Sequence, residues 1–176
     1  AYGTPLIIPR GEQEQMVSIG AKGVFSYDPK NGKELWKALH RGWSIAPRPV
    51  YGEGLVFTMI DRDRPELWAI RPDGKGDITD SHIVWKSSKR MPPRASPLIV
   101  GDLLFVIDRN GYISCLEAKT GKIFWQERMK GSFSASPIYT NGLIYFFNED
   151  TVCTIIKPAR KLEIVATNKV ADEQLM

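Results

Sequence analysis

Apolar residues in this chain fall into short runs of about five, each closed by a polar turn. From Pro97 the runs read PLIVG, LLFVID, YISCLEA and KIFWQER. They are rich in β-branched and aromatic residues and too short for helices, so each predicts a strand. The turns between them are short. Asn110-Gly111 and Asn141-Gly142 carry the Asn-Gly pair that favours tight antiparallel hairpins.

The pattern repeats. Pro5, Pro49, Pro97 and Pro137 are spaced by 44, 48 and 40 residues. Phe57, Phe105 and Tyr145 each follow their proline by eight residues. The final element of the four copies carries Trp36, Trp85, Trp125 and Val165, and PDGKGDITDSH lengthens the second copy by about eight residues. Four strands per unit at this period predict an all-β fold, a β-propeller of four four-stranded antiparallel blades. The expected blades are 4–40, 47–89, 95–129 and 135–170, forming one segment over residues 1–176 that belongs to a larger propeller. One blade cannot bury both of its faces, whereas neighbours stacked about an axis can. Trp36, Trp85 and Trp125 are the expected docking side chains, each contributing about 2–3 kcal/mol of burial.

Composition narrows the function. The 176 residues are 43% hydrophobic and 25% charged, with a net charge of +4. That excess is mild, and a nucleic-acid surface calls for a denser Lys/Arg stripe with interleaved aromatics; no apolar run could span a membrane. AYGTPLIIPRG lacks the regions of a signal peptide, so the chain reads as a trimmed or mature fragment. Cys115 and Cys153 read as free thiols. His40 and His82 read as exposed loop residues, and no His/Cys spacing suits a metal. Neither DRDR (61–64) nor DITD (77–80) has the ligand pattern of a calcium loop. No catalytic, cofactor-binding or metal-binding residue is assigned.

Two segments carry a family resemblance. Asp28-Pro29-Lys30-Asn31-Gly32-Lys33-Glu34-Leu35-Trp36 and Glu117-Ala118-Lys119-Thr120-Gly121-Lys122-Ile123-Phe124-Trp125 resemble the tryptophan-docking motif of PQQ-like, or quinoprotein-type, β-propeller repeat proteins. Glu117 stands where the motif usually has Asp, and the fourth copy lacks both Gly and Trp. The resemblance implies an exported bacterial protein, periplasmic or in the cell envelope. Its members include outer-membrane assembly lipoproteins and quinone-dependent dehydrogenases. The dehydrogenases have six to eight blades, a calcium-bound quinone and often a pair of adjacent cysteines; this chain has no Cys-Cys pair. A non-catalytic scaffold or interaction module, binding no cofactor, is the favoured reading; part of a PQQ-dependent dehydrogenase is the alternative.

In a propeller, the links between blades and the turns between second and third strands share one face. Ten Lys and Arg residues fall in those loops against five Asp and Glu, an excess larger than that of the whole chain. Such a face favours a protein partner or another acidic ligand. Arg41, Trp43, Arg62, Arg90, Arg94 and Arg109 are its expected contact residues, Trp43 being the aromatic that does not recur in register. An open arc of four blades would leave apolar end faces exposed, so either two copies pair as a homodimer that completes a ring, or four blades close on themselves, or a longer parent chain supplies the rest.

Overall fold

The computed structural model describes residues 2–170. The chain folds into four sheets. The first contains β1 (Leu6–Arg10), β2 (Gln13–Gly20), β3 (Gly23–Tyr27) and β4 (Glu34–Leu39). The second contains β5 (Val50–Gly52), β6 (Leu55–Ile60), β7 (Glu66–Ile70) and β9 (Ile83–Ser87). The third contains β10 (Leu98–Val100), β11 (Leu103–Ile107), β12 (Tyr112–Glu117) and β13 (Ile123–Arg128). The fourth contains β14 (Ile138–Thr140), β15 (Leu143–Phe147), β16 (Val152–Ile156) and β17 (Ile164–Lys169). Within each of these four-strand sets, neighbouring strands are antiparallel.

The insertion in the second copy does not stay with its own sheet. Its β8 (Gly76–Asp77) pairs in parallel with β4, making the first sheet five-stranded. Ile78 then packs into the core with Trp36, the Ile78 amide donates to the Lys37 carbonyl at 2.8 Å, and the Leu39 amide donates to Thr79 Oγ1 at 2.8 Å. The excursion therefore clasps the first two blades together.

The core is divided into three clusters, each sandwiched between consecutive sheets. Val17, Val24 and Trp36 meet Val56, Trp68 and Ile70. Phe57, Met59 and Leu67 meet Leu104, Val106 and Leu116. Phe105, Ile107 and Cys115 meet Ile144, Phe146 and Ile156. Strand alternation explains this: one set of positions faces the preceding blade and the other faces the following one.

The tryptophans lie in these seams. Trp85 Nε1 donates to the Ala118 carbonyl of the third blade, and Trp125 Nε1 to the Ala159 carbonyl of the fourth, both at 2.9 Å. Trp36 works through a relay. Its Nε1 donates to Gln15 Oε1 at 2.7 Å, and Gln15 Nε2 donates to the Pro72 carbonyl of the second blade at 3.0 Å. A second seam contact links the segments ahead of the second, third and fourth blades: the Arg48 amide donates to Ser96 Oγ, and the Ser96 amide to Ser136 Oγ, both at 2.9 Å.

One expectation is corrected in the fourth blade. Every sheet shifts register by one residue between its third and fourth strands. Cys115 pairs with Trp125, and the corresponding Ile155 pairs with Ala166. The docking position is therefore Ala166, and Val165 sits in the bulge. The turn before it is one residue longer: the Lys157 amide closes on Glu163, where the Glu117 amide closes on Lys122.

Candidate functional site

The loops after β4, β9 and β13 and those between second and third strands share one edge of the blade stack, as the antiparallel order requires. Trp43 lies in the first of these loops and is half exposed, at 50%. It is held rather than loose. Its indole Nε1 donates to Asp63 Oδ2 at 3.0 Å, and the Arg62 guanidinium stands 5.6 Å from its ring. The 61–64 turn is shaped by Asp61, whose Oδ1 accepts the amides of Arg62 and Asp63. The two loops meet at Gly42, where a Cβ would stand 2.6 Å from the Asp61 amide nitrogen. A side chain at that position would push Trp43 away from Asp63.

Beside this pair is an open cleft of about 410 Å³, lined by Tyr2, Ser44, Ala46, Arg62, Pro93 and Arg94. Trp43, Arg62 and Arg94 are thus brought to one place. Arg41 is exposed in the same loop as Trp43, and Arg109 is exposed on the turn before β12. Arg90 is engaged elsewhere: its guanidinium lies 3.7 Å from the Tyr112 ring and 3.9 Å from Asp108 Oδ2. Tyr2, at 78% the most exposed large apolar side chain among the described residues, was not among the contact residues expected from sequence. It precedes the first strand and has no counterpart in register, the same signal that singles out Trp43.

The histidines differ from expectation, since both are half-buried. His40 Nδ1 accepts the Gly42 amide at 2.9 Å, its ring stands edge-on to Trp68, and its Nε2 is buried without a hydrogen-bond partner. Burial lowers its pKa below 6.5, outweighing the upward pull of the Asp61 carboxylate. The folded state therefore resists protonation more than the unfolded chain does. Stability is full above the unfolded value and is lost as pH falls through the folded one. His40→Gln should flatten the fall of the urea midpoint as pH drops below about 6.5; an unchanged slope there would remove His40 as its source.

Among the described residues, no three His, Cys, Asp or Glu side chains gather where they could hold a metal ion. Cys115 and Cys153 are free, buried and on different sheets, and burial pushes the Cys115 thiol up to about 12. These residues do not fit a calcium-bound quinone stacked on paired cysteines. No helix among the described residues is long and apolar enough to cross a membrane.

Residues 76–160 match the family described as outer membrane protein assembly factor BamB. Comparison with curated proteins gives no match. Among solved structures, BamB from Moraxella catarrhalis is similar over 94% of this chain and 48% of its own, at 17% identity and a TM-score of 0.70. The computationally designed Ika8 protein is similar over 96% of this chain and 49% of its own, at 8% identity and a TM-score of 0.72. Quinohemoprotein alcohol dehydrogenase ADHIIG from Pseudomonas putida HK5 is similar over 97% of this chain and 34% of its own, at 14% identity and a TM-score of 0.72. The chain spans about half the length of the first two and about a third of the last, and at these identities the similarity is one of fold.

Proposed function

We propose that this chain, a β-propeller segment of PQQ-like repeats, is a non-catalytic scaffold that docks an acidic protein segment on its loop face. The observation that carries the reading is the cleft itself. Arg62 and Arg94 flank it, Tyr2 lines it, and Trp43 is fixed beside it by Asp63. Two cations and one aromatic ring lining a concave place, with a second ring held beside it against Arg62, suit a peptide carrying carboxylates and an apolar or aromatic side chain. The matching family is described as an assembly factor, which supports an interaction role. An exported location in the cell envelope accompanies this reading. The dehydrogenase neighbour supports the alternative only through its fold.

The test is fluorescence anisotropy with a labelled Asp/Glu-rich peptide containing one Phe. Binding should saturate and weaken with salt. The Arg62→Glu, Arg94→Glu double variant should weaken it about tenfold or more, by like-charge repulsion. Trp43→Ala should weaken binding with less effect on its salt dependence. Unchanged affinity in the charge-reversed variant would remove this face from the reading.

A further inference from the structure

His40 directly follows β4, and its ring is bonded to the segment that presents Trp43. Nδ1 accepts the Gly42 amide at 2.9 Å, so the neutral ring carries its proton on Nε2. That nitrogen is buried and has no hydrogen-bond partner. The bond that the ring does make is thus the one that fixes the loop. Gly42 itself is buried against the 61–64 turn, where a Cβ would stand 2.6 Å from the Asp61 nitrogen. Trp43 reaches Asp63 and Arg62 of the same turn, and Ser44 after it holds a φ of 52°. A left-handed backbone is unfavourable for a residue other than glycine, so the loop keeps this path because its contacts hold it there.

Several charged groups surround the ring. The Asp61 carboxylate faces it from the turn between β6 and β7, and the Gly20 carbonyl from the turn between β2 and β3. The Lys22 carbonyl of that second turn accepts the His40 amide at 3.1 Å, and Lys22 and Arg41 are both exposed. From β7, Trp68 stands edge-on at 6.0 Å; its Nε1 donates to Glu66, and Lys86 Nζ of β9 lies 4.1 Å from its ring. Burial outweighs Asp61 and keeps His40 neutral at neutral pH. In acid the ring takes its second proton at Nδ1, and both nitrogens then donate. The Gly42 amide loses its acceptor and meets an N–H instead. Asp61 leaves Gly42 no room to retreat toward the 61–64 turn, so the segment has to move away from that turn and take Trp43 with it.

We propose that His40 is a pH-sensitive latch on the cleft: protonation of its ring breaks the bond to Gly42 and frees the Trp43 loop from the 61–64 turn, so that the cleft holds an acidic peptide at neutral pH and releases it in mild acid. The release of peptide rests on the docking function proposed above; the movement of the loop does not. Little opposes that movement, since the bond from Trp43 to Asp63 is exposed to solvent, where a hydrogen bond is worth little net. Arg62 and Arg94 keep their charge throughout. The latch therefore acts on the aromatic part of the site and leaves its cations in place.

The test is proton–nitrogen NMR of the whole chain between about pH 7.5 and about pH 5, with the same labelled Asp/Glu-rich peptide titrated by anisotropy at each pH. The Trp43 indole Nε1–H is identified by its loss in Trp43→Phe. Its resonance should shift and exchange faster with solvent as pH falls, with a midpoint below 6.5 that matches the His40 ring. Peptide affinity should fall about threefold over the same midpoint, the size of one lost aromatic contact. His40→Asn and His40→Gln do not titrate, so the pH dependence of both signals should vanish in each. An indole resonance that stays in place through the His40 midpoint overturns the proposal, as does a shift that persists in both variants. An indole that moves while the peptide binds equally well overturns the latch and leaves the docking function standing. Peptide that binds at no pH removes the docking function, and the indole resonance then decides the coupling of His40 to the loop by itself.

Discussion

Trp36→Ala is expected to lower the free energy of unfolding by about 3–5 kcal/mol. Trp36 is wholly buried and belongs to the seam between the first two blades. Its removal costs the transfer energy of an indole and leaves a cavity between two sheets that are also clasped by β8. It also breaks the relay through Gln15, which accepts from Ser26 and Trp36 and donates to Pro72. Trp85 and Trp125 are only partly buried and donate directly to backbone carbonyls, so the same truncation there should cost about 2–3 kcal/mol. Urea denaturation of the three variants, at one protein concentration, reads the order. If Trp36→Ala cost no more than Trp125→Ala, the relay and the clasp would contribute nothing beyond a single docked indole.

Gly121→Ala should cost about 2–4 kcal/mol and Gly32→Ala only about 1 kcal/mol, although both glycines occupy the same motif position with the same φ. The left-handed backbone penalty is common to the two. What differs is the neighbour. A Cβ at Gly121 would stand 2.8 Å from two ring carbons of Trp85, and a Cβ at Gly32 would meet nothing. The indole of Trp85 must then shift, which loosens its bond to Ala118 and its packing beside Phe57. The difference between the two variants isolates the packing of an indole on the next blade from backbone strain. Equal losses by urea denaturation would mean that Trp85 yields freely and that the seam is soft.

The candidate site was legible in part. Trp43 was visible because it breaks the repeat, and the basic excess of its loops follows from strand order alone. Arg90 reads from sequence as one more loop cation, yet it lies on Tyr112 and faces Asp108, partners supplied by a different blade. Tyr2 joins Arg62 and Arg94 only when the start of the chain folds across to the later loops.

By itself the sequence determined the strands, their hairpin order and the four-blade repeat. These depend on alternation and turn chemistry within about ten residues, where no distant partner is needed. Tertiary structure decided where the insertion pairs, which residue of the fourth blade holds the docking position and which cations remain on the open cleft. Each of those turns on a one-residue bulge or on a neighbour from another blade. A shift of one residue exchanges the two faces of a strand, so composition and periodicity alone could not have chosen Ala166 over Val165.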